Sequence, residues 1–255
     1  ATGQGTIAME IFKELPTVDY ILVPIGGGGL CAGVSTLAKM LHPNVKIIGV
    51  EPAGAACMKA SLEAGEVTSL NKVETIADGT AVRTPGTNVF PYIKENVDDI
   101  ITIEDEELTL NFLDMIENHK MVVENSGLLA VAAINKLGVQ GKKVVSIISG
   151  GNIDIITVSS MVQHGLRQSG RISTVSVLLP DRPGELARVS EVIAELKGNV
   201  VRLEHNQFVN INRNAAVELI ITMEAYGMEH KQEIINGLGK KGYKPREVKA
   251  KGSLN

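Results

Sequence analysis

Tyr20-Ile21-Leu22-Val23-Pro24-Ile25 runs without a break into Gly26-Gly27-Gly28-Gly29 and then into Leu30-Cys31-Ala32-Gly33-Val34. The first six residues have strand length and no polar alternation, the pattern of a strand covered on both faces. From Leu30 to Leu41 the apolar residues recur at helical spacing. A strand that turns through glycines into a helix presents backbone N–H groups, unobstructed by Cβ atoms, at the positive end of that helix. Such a turn suits an anion, and phosphate in particular. A plain flexible turn is the competing reading. Four consecutive glycines exceed what a turn requires.

The same alternation extends in both directions. Ile7, Ala8, Ile11, Phe12 and Leu15 form a helical stripe that Pro16 ends. Lys46 to Val50, Ile100 to Ile103 and Lys143 to Ile148 read as further apolar strands. Gly54 to Ala64, Asp105 to Lys120, Ser126 to Leu137 and Ile153 to Leu166 read as helices, and Asn71 to Tyr92 as irregular chain. Strands alternating with helices of this length predict a parallel sheet covered on both faces. The pattern changes after the polar linker Arg167 to Arg171. Strands are then predicted at Ile172 to Leu179, Val200 to Val209, Ala215 to Met223 and Tyr243 to Val248, with helices at Gly184 to Lys197 and Glu229 to Gly239. That β-α-β-β-α-β order is the ferredoxin-like arrangement. Two α/β domains are expected, 1–168 and 169–255.

Composition narrows the function. The 255 residues are 44% hydrophobic and 21% charged, ample for two cores. Lys and Arg total 25 against 29 Asp and Glu, a formal charge of −4, so nothing suggests a nucleic-acid partner. The longest charge-free stretch, Tyr20 to Ala38, contains Pro24 and the four glycines, so no membrane span is expected. Cys31 and Cys57 are too few and too far apart for a disulfide framework, which suits a cytoplasmic protein.

Ser149-Gly150-Gly151-Asn152 ends the last strand of the first domain. Carboxyl ends of neighbouring parallel strands share one rim, where ligands bind. A Ser149 hydroxyl there can meet a ring nitrogen without forcing it to become charged; capping of the next helix by Ser149 or Asn152 is the structural alternative. Glu51 ends the second strand, which keeps a dinucleotide-binding reading open although G-x-G-x-x-G spacing is not clearly present.

Taken in order, Val23-Pro24-Ile25-Gly26-Gly27-Gly28-Gly29-Leu30, Gly49-Val50-Glu51-Pro52, Ala77-Asp78-Gly79, Val123-Glu124-Asn125-Ser126-Gly127 and Ser149-Gly150-Gly151-Asn152 resemble threonine ammonia-lyase (threonine dehydratase). That family has the type II fold of pyridoxal 5′-phosphate enzymes. Asp181-Arg182-Pro183-Gly184-Glu185-Leu186 and Gly198-Asn199-Val200 resemble an ACT regulatory domain. The resemblance covers essentially the whole chain. It implies that Gly26, Gly27, Gly28, Gly29 and the N–H of Leu30 cradle the cofactor phosphate. Ser149 would face the pyridine nitrogen, Gly79 would lie beside the ring, and Glu124 would be a catalytic-site carboxylate near the cofactor edge, with helix capping as its alternative. The reaction implied is loss of the Cα proton and β-hydroxyl of L-threonine, then hydrolysis to 2-oxobutanoate and ammonia.

Further expectations follow from the resemblance. Glu51 and the carbonyl of Ala55 match positions that hold a cation in the serine racemase branch, although the third ligand position is Cys57, and a hard cation prefers oxygen. Asp181, Gly184 and Asn199 match positions that meet an amino-acid effector, isoleucine or valine, across a pair of ACT domains. A homo-oligomer is expected. The family's cofactor-anchoring lysine sits in Ser-Phe-Lys-x-Arg, upstream of the segment matching Ala1, and no lysine here has that context. The chain is therefore expected to be the carboxyl-terminal part of an enzyme, inactive unless the missing N-terminal segment partners it. L-serine in place of L-threonine, as in serine dehydratase or serine racemase, a non-catalytic amino-acid sensor, and a nucleotide-binding module remain alternatives.

Overall fold

The computed structural model describes residues 1–206 and 217–248, which form two compact units that divide between Val162 and Gln163. The expected boundary at 168/169 falls at the end of a helix, and the units divide inside that helix.

In the first unit β1 (Tyr20–Pro24), β2 (Lys46–Pro52), β3 (Asp99–Ile103) and β4 (Val144–Ser146) form a sheet in the order β3-β2-β1-β4, with every pair parallel. Side chains alternate across the sheet. Ile21, Val23, Ile25 and Ile47 point to one face, where they pack with Phe12 of α1 (Thr6–Glu14), Val34 and Ala38 of α2 (Gly29–Leu41) and Ile93. Leu22, Ile48 and Val50 point to the other, with Leu108 and Phe112 of α5 (Asp105–Asp114) and Leu128 and Leu129 of α6 (Asn125–Ala132). Both faces are therefore buried, which is why these strands lack polar alternation.

Several expected elements differ; β4 is shorter than the expected Lys143 to Ile148, and the helix expected to Leu137 passes into a 3-10 turn at Ala133–Lys136. The stretch Gly54 to Ala64 holds a short 3-10 turn, Ala53–Ala55, before α3 (Cys57–Ala64). The irregular region conceals α4 (Phe90–Asn96), which has Pro91 in its first turn, where its missing N–H costs nothing. The helix from Asp105 gives way to a π-helical turn at Met115–His119 that Lys120 ends with a φ of 58°.

α7 (Ile155–Gln168) contains the division between the two units. There β5 (Ile172–Leu179), β6 (Asn199–Asn206), β7 (Val217–Glu224) and β8 (Arg246–Glu247) form a sheet of order β6-β7-β5-β8 with antiparallel pairs. Val175, Val177, Leu219 and Ile221 face Val189 and Ile193 of α8 (Glu185–Glu195) and Ile234 and Leu238 of α9 (Met228–Lys240). The last strand is shorter than expected. Residues 207–209 and 215–216 of the expected strands lie outside the described residues. Among the described residues no helix is long and apolar enough to cross a membrane.

Candidate functional site

The site is built at the carboxyl rim of the parallel sheet. Ile25 N–H donates to the Val50 carbonyl (2.8 Å) and Ile147 N–H to Leu22 (3.0 Å), so the chain leaving β1 stays bound to both neighbours. The four glycines then alternate in what surrounds them. A Cβ at Gly26 would stand 3.1 Å from the Gly79 carbonyl and from Thr80 Cα. One at Gly28, whose φ is +93°, would stand 2.7 Å from Met58 Cε and 2.8 Å from Ile93 Cδ1. At Gly27 and Gly29 it would meet nothing within 4 Å. Gly26 and Gly28 are thus glycine because protein lies against them, whereas Gly27 and Gly29 border open space at the start of α2. The Gly86 N–H holds the loop from behind by donating to the Gly27 carbonyl (2.9 Å).

Three distant segments close on this loop. A Cβ at Gly79 would lie 2.9 Å from Ser126 Oγ and 3.5 Å from Glu124 Oε1. One at Gly150 would overlap the Glu124 carboxyl group, and one at Gly127 would overlap the Ser149 carbonyl. Glu124 starts α6, yet its carboxylate makes no capping bond to that helix; its backbone carbonyl accepts the Gly127 N–H (2.9 Å) instead. Ser149 is half-buried beyond β4. Neither Ser149 nor Asn152 caps α7. Asp154 does, accepting the N–H groups of Ile156 (2.9 Å) and Thr157 (3.0 Å) together with the Thr157 hydroxyl. Those bonds hold the Asp154 carboxyl below the usual aspartate value, the Thr157 hydroxyl contributing most.

A cavity of 320 Å³ opens here, lined by Asp78, Gly79, Glu124, Ser126, Asn152 and Thr157 among others; of the expected site residues it takes in Gly79 and Glu124 but not the glycine run, Leu30 or Ser149. Its back wall is rigid. Asp105 accepts the Thr75 hydroxyl (2.7 Å) and the Ile76 N–H (3.0 Å), and Asn125 Nδ2 donates to the Ile76 carbonyl (2.8 Å).

Comparison with known proteins gives the family. The sequence model of the family described as pyridoxal-phosphate dependent enzyme matches residues 1–150. The chain belongs to that family. An L-threonine ammonia-lyase of Geobacter sulfurreducens is 42% identical over 243 residues, covering 94% of this chain and 60% of that protein. Among solved structures, the processed form of threonine deaminase isoform 2 from Solanum lycopersicum superposes with a TM-score of 0.61 and 36% identity, covering 64% of this chain and 48% of that one. Maize serine racemase gives 0.58 and 36%, covering 64% and 51%. The chain thus spans about three fifths of the length of the curated lyase it matches.

The residues fit the family's cofactor. Open space over Gly27 and Gly29 at a helix N-terminus suits a phosphate, and a side chain at either position would intrude on it. The cradle residues Gly26 to Gly29 and Leu30 are contiguous, and Gly79 and Glu124 meet at the cavity. Sequence reasoning missed Ser126, Gly127 and Gly150 as packing partners of the site, and Met58 as its floor. The signal for the glycines was present, since each marks a point where another segment approaches too closely for a side chain: the Ser149 backbone at Gly127 and the Glu124 carboxyl group at Gly150.

Two expected groups are not assembled at this rim. Glu51 is fully buried and its oxygens accept the N–H groups of Met58 (2.8 Å) and Lys59 (2.8 Å). Burial pushes its carboxyl up to about 7, against the opposing pull of those N–H groups and the Cys57 thiol. Among the described residues no three His, Cys, Asp or Glu side chains are grouped to hold a metal. In the second unit, Asp181 and Gly184 follow the carboxyl end of β5 whereas Asn199 opens β6, bonded to Glu224 (2.9 Å). Because β5 and β6 both run antiparallel to β7, those positions lie at opposite ends of an eight-residue strand, roughly 23 Å apart at the usual rise.

Proposed function

We propose that the parent protein is a threonine ammonia-lyase, converting L-threonine to 2-oxobutanoate and ammonia, and that this chain carries its cofactor cradle and a regulatory ACT domain. The observation that carries the reading is the convergence of Gly26 to Gly29, Gly79, Glu124 and the Ser149 segment on one rim. The name and 42% identity of the Geobacter sulfurreducens relative support the substrate. Pyridoxal 5′-phosphate, once bound, supplies the electron sink for breaking the bonds at Cα and Cβ. The chain's own groups do the rest. The N–H groups of Gly27, Gly29 and Leu30 hold the phosphate. The Ser149 hydroxyl would meet the ring nitrogen, which it can do without forcing a charge on it. Glu124 stands at the cofactor edge, where its carboxylate can hold a proton. No lysine of the sequence stands in a Ser-Phe-Lys-x-Arg context, which supports the reading that this chain does not turn over substrate alone.

The test has two arms. Equilibrium dialysis should show the chain binding pyridoxal phosphate, with Gly27→Ala weakening it. The full-length parent should release 2-oxobutanoate from L-threonine, while the chain alone should not. Failure of the wild-type chain to bind the cofactor would overturn the reading. The likeness to maize serine racemase supports a second substrate, L-serine; relative kcat/KM for the two amino acids decides between them.

The regulatory part of the proposal rests on the βαββαβ order of the second unit. Asp181 and Gly184 of one copy and Asn199 of another would bind isoleucine or valine, since one copy separates them. β6 is an edge strand with Val201 exposed, which supports a homo-oligomer paired through sheet edges. Sedimentation would report the oligomer. Thermal stabilisation by isoleucine or valine, lost in Asp181→Ala and Asn199→Ala, would report the effector. Both cysteines are buried and unpaired, in keeping with a cytoplasmic protein.

A further inference from the structure

Glu51 ends β2 and is wholly buried, yet it is not among the residues lining the cavity. Its two oxygens take the N–H groups of Met58 and Lys59, both in the first turn of α3, where helix donors lack partners within the helix. The residue preceding that helix, Ala56, offers no side-chain cap. Glu51 supplies the cap from the neighbouring strand. Met58, itself fully buried, then places its methyl group 2.7 Å from the position of a Cβ at Gly28, with Ile93 and Val89 completing the floor. Gly28 is the left-handed residue within the cradle that precedes α2.

We infer that Glu51 is a positioning residue for the glycine cradle, acting through α3 and Met58, and that it does so without the cation expected at Glu51 and Ala55. This rests on the reading of the cradle as the cofactor's phosphate seat. The donor set disfavours a hard cation. Two backbone N–H groups already point at the carboxylate, and such donors repel a metal ion. The third position is Cys57, and its sulfur is a poor ligand for a hard cation, which prefers oxygen. The charge of Glu51 is met by the helix N-terminus.

The test measures pyridoxal phosphate affinity of the chain by equilibrium dialysis in excess EDTA and in excess Mn²⁺, alongside hydrogen exchange of the Met58 and Lys59 amides. The wild-type chain is expected to bind equally in both conditions. Glu51→Ala should weaken binding about tenfold, the scale of a lost helix cap, and speed exchange at both amides. Glu51→Gln keeps an acceptor oxygen and should fall between the two. Met58→Ala guards against a Glu51 variant that fails to fold: it should weaken binding with the two amides still protected. If the wild-type chain binds and Glu51→Ala or Met58→Ala binds equally well, the inference is wrong. Mn²⁺ tightening the wild type but not Glu51→Ala would also overturn it, in favour of a cation site. A wild-type chain that binds no pyridoxal phosphate overturns the phosphate seat itself, and the inference with it.

Discussion

The carboxyl group of Glu124 occupies the space that a side chain at Gly150 would need. The two residues lie on different segments, one opening α6 and the other beyond β4, and the Glu124 N–H points at the Gly150 carbonyl (3.4 Å). Gly150 also has a φ of +85°, in the left-handed region. Gly150→Ala should therefore lose about 1–2 kcal/mol from backbone strain alone, and it should displace Glu124. Urea unfolding of Gly150→Ala, Glu124→Ala and the double variant tests this. The double variant should be more stable than the sum of the singles, because removing the carboxylate relieves the overlap.

Adjacent glycines of the cradle should behave oppositely. Gly28→Ala meets both a φ of +93° and the Met58 and Ile93 side chains, so it should lower stability by roughly 2–4 kcal/mol, combining strain with overpacking. Gly27→Ala projects into open space and should leave stability within about 0.5 kcal/mol of wild type. Its effect should be on pyridoxal phosphate, with a loss of affinity seen in the same dialysis experiment. Equal destabilisation by both would contradict the alternating surroundings.

Asp98 predicts an acid-sensitive stability. Its side chain bonds Lys39 (2.8 Å), Lys46 (2.8 Å) and the Ile47 N–H (2.8 Å), joining the end of α2 to the start of β2. Burial raises its carboxyl, but those three bonds together outweigh burial and hold it below the usual value of 3.8. The folded state thus binds the proton less readily than the unfolded chain. The resulting stability is fully present above pH 3.8 and is lost as the pH falls through the lowered folded value. Asp98→Asn should cost roughly 1–2 kcal/mol at neutral pH, and the gap to wild type should shrink as the pH is taken below that range. Urea midpoints across an acid series provide the measurement.

Phe112 is fully buried between α5 and the sheet, packed with the cluster that contains Leu108 and Leu128. Phe112→Ala should cost about 3–5 kcal/mol, while Phe112→Leu should recover most of it. Thermal unfolding of the two variants checks the order.

The local patterns determined most of the architecture without help. Continuous apolar runs at Tyr20 and Lys46 are legible as doubly covered strands because burial on both faces leaves no place for polar residues. The change to alternating strands after Arg171 marks a sheet covered on one face, and Val175 and Val177 point inward as that alternation requires. The glycine run between β1 and α2 announced a turn into a helix, and Gly27 and Gly29 border open space there. The seven-residue α4 escaped notice because two turns carry too little periodicity, although Pro91 was a usable sign.

The tertiary structure decided the rest. Only the sheet order places β4 beside β1 and so brings Gly150 against Glu124, and only the packing of α6 sets Ser126 against Gly79. No local pattern records that Glu51 caps a helix beginning six residues later in place of a cap at Ala56, or that Met58 lies beneath Gly28. Periodicity reports how a segment meets solvent and core. Which donor meets which acceptor, and where two backbones touch, depends on long-range packing that distant segments supply only once they have folded together.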